Sequence, residues 1–213
     1  MSLFIFGLLL CFPAIYCADP SFLAVFFTED TKSLLKDKFF RSHEYSSPFY
    51  GNTRHIYCDH STIEFNPRSD SINKYKAHYG HVQKLTILAY AEDEHAQAIL
   101  VHCADGNDTH PSMNKYPHVT ISVSNVKPYT PVYSNDLWTR FVDDRIVEIQ
   151  VDEYDKPRSI TIKDHISEWY GKLSSNGEYE ETKAYVKIMN EIIDLDGIVC
   201  VNNLWKNDEC QKF

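Results

Sequence analysis

QKLTILAYAEDEHAQAILVHC, residues 83–103, is the stretch that most strongly predicts the fold. Residues 83–91 and 96–103 are each rich in apolar, β-branched and aromatic side chains, which favour strands. The charged segment Glu92-Asp93-Glu94 between them predicts a turn. We therefore expect an antiparallel hairpin at the centre of the chain.

Further elements are predicted on both sides of this hairpin. β-Branched and aromatic runs predict strands at 21–27, 53–65, 116–123, 145–151 and 159–162. Apolar residues at helical spacing predict helices at 33–40, 69–79 and 182–193.

Composition and charge restrict the function classes. The chain has 213 residues, of which 43% are hydrophobic, and a formal net charge of −9. This composition supports a folded core and disfavours wholesale disorder. Non-specific binding to duplex nucleic acid rests on Lys and Arg, so an acidic chain is a poor candidate for it. A small nucleotide or the end of an RNA strand remains compatible, because either needs only a local site.

The N-terminus resembles a secretory signal. Leu3 to Phe12 is an apolar run that is too short to span a bilayer, and small residues follow at Cys17 and Ala18. We therefore expect a signal peptide over residues 1–18, a secreted or ER-lumenal protein, and no membrane association. The triplet Asn107-Asp108-Thr109 is a glycosylation sequon, which makes Asn107 a candidate glycosylation site.

Four cysteines remain beyond residue 18: Cys58, Cys103, Cys200 and Cys210. An even number in an oxidising compartment favours two disulfides, for which three connectivities exist. Because Cys200 and Cys210 are close in sequence, we favour Cys200–Cys210 together with Cys58–Cys103. The alternative is that some of these cysteines are buried free thiols. None of them has the spacing of metal ligands.

Two short motifs carry the chemistry: His60-Ser61-Thr62-Ile63 and His118-Val119-Thr120-Ile121. Strand side chains alternate between faces, so the histidine and the threonine of each motif point the same way. Each motif thus presents an imidazole, which moves protons near neutral pH, and a hydroxyl, which donates a hydrogen bond.

Two such pairs facing each other predict a phosphodiester site. One imidazole would act as general base and the other as general acid, while the two hydroxyls would hold the nonbridging oxygens. This chemistry needs neither a metal ion nor another cofactor. The competing interpretation is that the pairs are accidental, because the chain has ten histidines and a histidine beside a threonine is often only hydrogen-bonded to it.

A family resemblance covers roughly residues 53–150. It rests on Asp59-His60-Ser61-Thr62-Ile63, then Tyr79-Gly80, Leu85-Thr86-Ile87-Leu88-Ala89-Tyr90 and Ala96-Gln97-Ala98, then Tyr116-Pro117-His118-Val119-Thr120-Ile121. This order resembles the two-histidine phosphoesterase superfamily, and is most like the cyclic phosphodiesterase-type domain at the C-terminus of plant and fungal tRNA ligases.

The resemblance implies a fold, an activity and a set of site residues. The fold would be a two-lobed α+β structure with antiparallel sheets around a concave cleft and the motifs on central strands, to which this chain adds a C-terminal helix. The activity would be hydrolysis of a 2′,3′-cyclic phosphate on an RNA end or a nucleotide. His60 and His118 would be catalytic, and Thr62 and Thr120 would bind the substrate phosphate.

We therefore expect three parts in the chain. These are the signal peptide over 1–18, a two-histidine phosphoesterase-like domain over 19–171, and a C-terminal helical extension over 172–213 that packs on the domain. A signal peptide argues against a role in cytosolic or nuclear tRNA splicing. The sequence predicts no oligomeric state.

Tyr129 and Tyr133 follow the second motif and are candidates for stacking on a base, although core packing is the simpler interpretation. A non-catalytic alternative also exists for the whole chain. A secreted module on the same scaffold could bind a nucleotide, an RNA end or a partner protein without turnover.

Overall fold

A computed structural model describes residues 21–41, 54–103, 112–125, 129–152, 155–203 and 210, with the backbone alone at 41 and 103. The predicted signal peptide and Asn107 lie outside these residues. The fold is α+β with mainly antiparallel sheets, as the family resemblance implied. Among the described residues, no helix combines the length and the apolar character that crossing a bilayer requires.

The strands are β1 (Phe22–Phe27), β2 (Arg54–Ile56), β3 (His60–Phe65), β4 (Val82–Asp93), β5 (Ala96–Cys103), β6 (His118–Ser124), β7 (Val147–Val151), β8 (Pro157–Ile162), β9 (Glu168–Leu173), β10 (Thr182–Ile188) and β11 (Asp194–Val201). The α-helices are α1 (Glu29–Lys36), α2 (Ser69–Lys76) and α3 (Tyr133–Asp143).

Six strands pair in a closed ring in the order β11, β1, β3, β6, β5 and β4, and β4 pairs again with β11. The predicted hairpin of residues 83–103 forms β4 and β5 of this ring. Strand β4 is 12 residues long and has two partners on one side. Its first half pairs with β11 and its second half with β10, which in turn pairs with β9.

Two apolar clusters lie on the two faces of the ring strands. Alternate residues such as Ile99 and Val119 belong to the first cluster. The intervening residue Leu100 belongs to the second, where α3 packs through Leu137 and Trp138. This alternation separates side chains that fill the first core from side chains that face α3, and it therefore fixes where the histidine motifs point.

The predicted C-terminal helix is wrong, because residues 182–193 form β10 and the approach to β11. Thr182, Ala184 and Val186 are buried at every second position, which is the period of a strand. Pairing of β10 with both β4 and β9 satisfies its backbone, so the segment is part of the sheet rather than a helix packed on it.

The cysteine prediction is half correct. Cys200 and Cys210 form a disulfide, with Cα atoms 6.1 Å apart. The predicted Cys58–Cys103 bridge is wrong, because Cys58 is a free, buried thiol whose Sγ points to the Ile121 carbonyl. Strand β6 separates the chain at Cys58 from β5, on which Cys103 lies. Strands two apart are roughly 9–10 Å from each other, beyond the reach of a disulfide.

Cys58 should therefore be inert in the native protein. Burial raises the pKa of its thiol to about 12, and the side chain is fully buried. We expect iodoacetamide at pH 8 to leave Cys58 unmodified until the protein is unfolded in denaturant. Peptide mass mapping without reduction measures this and should also recover Cys200 joined to Cys210. Alkylation of native Cys58 would contradict the packing described here.

Candidate active site

Strand alternation places the two motifs on one face of the sheet. β3 and β6 are antiparallel neighbours, with Ser61 opposite Val119, and both of these side chains are buried. The positions on either side of this pair therefore place His60 beside Thr120 and Thr62 beside His118. His60 and His118 are therefore diagonal neighbours across the two strands, and the Cα atoms of such neighbours are roughly 7–8 Å apart.

A bulge between β2 and β3 sets this register. The sequence predicted one unbroken strand over residues 53–65, but the chain is interrupted at Cys58, whose φ is 61°. Before the bulge, Cys58 N donates to the Thr120 carbonyl at 3.0 Å. Continuing that register would put His60 opposite His118. The bulge shifts the pairing by two residues, so each histidine faces a hydroxyl instead, as bulges near functional sites often re-aim a side chain.

All four predicted motif side chains line one cavity of about 540 Å³, hereafter the active-site cavity. Its walls come from β1, the segment between β2 and β3, β3, the segment before β6, β6, and the first turn of α3 with the residues just before it. The lining residues are Phe22, Tyr57, Asp59, His60, Thr62, Phe65, Asn114, His118, Thr120, Pro131, Val132 and Asn135.

His118 is held in a buried, apolar setting and is 7% exposed. Its Nδ1 lies 2.8 Å from the Tyr116 carbonyl oxygen, which can only accept, so Nδ1 carries the proton and Nε2 carries the lone pair. Burial is the main reason that the pKa of His118 falls to about 4, and the nearby His60 lowers it further. At neutral pH the ring is therefore an uncharged proton acceptor.

His60 has a different environment, with a carboxylate beside it. Its Nδ1 donates to Asp59 Oδ1 at 2.8 Å, and its ring stacks on Phe22 with centroids 4.6 Å apart. Partial burial opposes ionisation of Asp59, but the hydrogen bond and charge attraction from His60 outweigh it and lower the pKa of Asp59. The two contacts fix the plane of the imidazole and provide a negative charge next to it.

The two threonines differ in their contacts. Thr120 Oγ1 lies 3.3 Å from the Pro131 carbonyl oxygen and 3.0 Å from Ser134 Oγ, which connects β6 to the start of α3. Thr62 is among the residues that line the cavity, and its backbone carbonyl accepts from Ser112 Oγ at 2.7 Å. Both hydroxyls are thus on rigid strands whose backbone is fixed by neighbours.

The tyrosines proposed for base stacking lie elsewhere. Tyr129 stacks on His95 with ring centroids 3.6 Å apart, and Tyr133 is buried with its hydroxyl bonded to Asp93. Neither is among the lining residues of the active-site cavity. Phe65 lines it instead, and no sequence signal had singled that residue out.

Eight of the twelve residues that line the cavity were not predicted as part of the site. Asp59 lies next to a motif histidine and could have been proposed from that adjacency. Phe22 and the α3 residue Asn135 reach the cavity only through tertiary packing. In the described part of the chain, no group of three or more His, Cys, Asp or Glu side chains is arranged to hold a metal ion.

The electrostatic difference between the histidines can be measured directly. We expect the His118 ring to remain neutral on acidification until the pH approaches about 4. Nitrogen-15 NMR of the imidazoles measures this, with the His118 signal assigned by its loss in His118→Asn. In urea the same signal should titrate near 6.5, the ordinary histidine value. A native midpoint near 6.5 would contradict the buried, neutral ring.

No protein-family model matches the chain, and no curated protein matches it in sequence. Solved structures do match it. The fold is similar to part of a fungal RNA kinase. That crystal structure has a TM-score of 0.50 and 15% sequence identity, over 86% of this chain and 45% of the kinase chain. The chain thus spans less than half of the kinase's length, and at this identity the likeness shows the fold alone.

Proposed function

We propose that this protein is a phosphodiesterase that hydrolyses a 2′,3′-cyclic phosphate on an RNA end or a nucleotide by two-histidine acid–base catalysis. The observation that carries the proposal is the active-site cavity, which is lined by two histidines in different electrostatic settings and by two threonines. An acid and a base that share one cavity are what in-line displacement at phosphorus needs.

His118 is the proposed general base. Its Nδ1–H donates a hydrogen bond to the Tyr116 carbonyl, and burial keeps the ring neutral, so the lone pair on Nε2 can accept a proton. His60 is the proposed general acid, because the Asp59 carboxylate balances the charge of its protonated ring. Asp59 acts through His60 and is a positioning residue.

The proposed reaction balances without any further reactant. Water adds to phosphorus while His118 Nε2 takes one of its protons. The bond from phosphorus to one ribose oxygen breaks, and His60 gives its proton to that oxygen. The products are a free ribose hydroxyl and a phosphomonoester. The proton gained by His118 then returns to His60 through solvent before the next turnover.

Thr62 and Thr120 are the proposed donors to the nonbridging phosphate oxygens. Charge on these oxygens grows as water adds, so a fixed donor stabilises the transition state more than the bound substrate. Thr120 must turn its hydroxyl hydrogen from the Pro131 carbonyl toward the cavity in order to donate to the phosphate. The Ser134 hydroxyl can then still hydrogen-bond to Thr120 Oγ1 and link β6 to α3.

Two further observations support parts of the proposal. The structural neighbour is described as an RNA kinase, which supports an RNA-related enzymatic function. The Cys200–Cys210 disulfide supports secretion, because disulfides persist mainly in oxidising compartments.

Phosphorus-31 NMR tests the proposal. The full chain is incubated with a nucleoside 2′,3′-cyclic monophosphate, and the cyclic phosphate signal should be replaced by that of a phosphomonoester. EDTA should leave the rate unchanged, because imidazoles and hydroxyls carry the proposed chemistry. A protein that binds the nucleotide but does not convert it would instead be a binding module on this scaffold.

A further inference from the structure

The main sheet ends at β9. One end of the strand order closes on itself, because β11 pairs with β4, whereas the branch through β10 runs out to β9. Among the described strands, β10 is the one that pairs with β9. A strand at the end of a sheet presents its outer row of backbone N–H and C=O groups to another strand.

The register with β10 shows which residues face this outer edge. The Ile188 N–H donates to the Ser167 carbonyl at 2.8 Å, so the residue just before β9 directs its carbonyl to β10. Backbone groups alternate in direction along a strand, so every second residue after Ser167 also faces β10. The backbone groups of Glu168, Tyr170 and Lys172 therefore point to the outer edge.

The side chains at these three positions are self-complementary. When a second copy of β9 is placed antiparallel with Tyr170 opposite its own counterpart, Glu168 of each copy lies opposite Lys172 of the other. Opposite charges and aromatic pairs directly across two strands are stabilising. The same three positions carry the outward-facing backbone groups, so charge and backbone hydrogen bonding select the same register. A shift by two residues would lose both charge pairs.

The largest side chain of β9 does not have to move for a second strand to approach. A Cβ atom at Gly171 would lie 2.3 Å from the Trp169 ring, so the indole packs along its own strand over the glycine. Phe141 of α3 holds it there, with ring centroids 6.0 Å apart. In the register centred on Tyr170, each Trp169 lies opposite a Gly171 that has no side chain to obstruct it.

The side chains that would meet are accessible. Tyr170 is 54% exposed, and Glu168 and Lys172 are also exposed. Glu168 Oε2 accepts from the Tyr185 hydroxyl at 2.9 Å, and Lys172 forms a solvent-exposed ion pair with Glu181. Exposed ion pairs contribute little to stability, and a carboxylate or an ammonium group can hold more than one partner. These contacts therefore do not prevent pairing across the edge.

We propose that the protein forms a homodimer in which the β9 strands of two copies pair antiparallel about Tyr170. The main sheet then continues from one copy into the other. The described lining of the active-site cavity includes no β9 residue, so this proposal does not depend on the proposed function.

Charge reversal tests the interface and its register. Analytical ultracentrifugation of the full chain should show a monomer–dimer equilibrium. Glu168→Lys and Lys172→Glu each place like charges opposite one another at both ends of the strand pair. Each should raise the dissociation constant of the dimer on the order of tenfold or more. The double variant restores both opposite-charge pairs and should return the constant to near the wild-type value. Glu148→Lys, an exposed reversal on β7, is the matched control and should leave it unchanged.

Tyr170→Pro tests the backbone pairing. The β9–β10 ladder does not use the Tyr170 N–H, and proline is tolerated on edge strands at such positions, so circular dichroism should show a folded monomer. The dimer should be lost, because proline removes a central donor from the strand pair. A wild-type protein that sediments as a monomer at every soluble concentration overturns the proposal. So does a dimer that both single reversals leave intact, or one that the double variant fails to restore.

Discussion

We expect His118→Asn and His60→Asn each to lower kcat/KM for a 2′,3′-cyclic nucleotide by roughly 10²- to 10⁴-fold, the usual contribution of one positioned proton-transfer group. Asparagine is chosen because its side-chain N–H lies close to the place of Nδ1–H. It can therefore still donate to the Tyr116 carbonyl or to Asp59. What each variant loses is Nε2, the atom that faces the reaction.

The controls separate chemistry from folding. His165→Ala removes an exposed histidine in the turn after β8 and should leave activity unchanged. Circular dichroism and the thermal midpoint report whether the two active-site variants remain folded. If a folded His118→Asn retained wild-type turnover, His118 could not be the base.

The pH profile of the wild-type enzyme adds a second readout for the same pair. The base works only when neutral, and the pKa of His118 is lowered to about 4. kcat/KM should therefore fall on acidification only as the pH passes through about 4, well below the 6.5 of an ordinary histidine.

Parts of the fold could be predicted because local pattern and final structure agree. The β4–β5 hairpin has a strong apolar signal on both sides of a charged turn, and it forms the centre of the ring. The segment 182–193 satisfies two patterns at once. Tyr185, Ile188 and Ile192 fit helical spacing, yet Ile192 is 84% exposed and pairing with β4 and β9 decides the outcome.

Helix α3 was missed although its signal is present in the sequence. Tyr133, Leu137 and Phe141 recur every fourth residue, and all three are buried. Arg140 lies on the same helix, is 2% exposed, and reaches Tyr133 and Asp93. A buried arginine cannot be recognised from local pattern, because its partners come from distant elements.

The active site, like the fold, could be predicted from the sequence only in part. The alternation of strand side chains was enough to predict that the histidine and the threonine of each motif share a face. The bulge at Cys58, which sets their register, has no glycine to mark it. Phe65 and Asn135 reach the cavity from different elements, and only the packing of α3 against β6 brings them near each other.

We expect Thr62→Val and Thr120→Val each to lower kcat/KM by roughly tenfold to a few hundredfold, less than the histidine variants. Valine keeps the shape of threonine and removes the hydroxyl, so each variant loses one phosphate hydrogen bond while the proton transfers remain. Most of the loss should lie in kcat, because the bond strengthens as charge builds up on the phosphate oxygens. Thr→Ser at either position should recover most of the activity.

Thr120 needs one further control, because its hydroxyl also contacts the Pro131 carbonyl and Ser134. Ser134→Ala breaks the contact to α3 and leaves the Thr120 hydroxyl in place. Ser134 is fully buried and does not line the active-site cavity, so its loss should lower the thermal midpoint more than kcat. Thr120→Val should show the reverse order. If Ser134→Ala lowered kcat as much as Thr120→Val did, Thr120 would act by holding α3 against β6 rather than by binding phosphate.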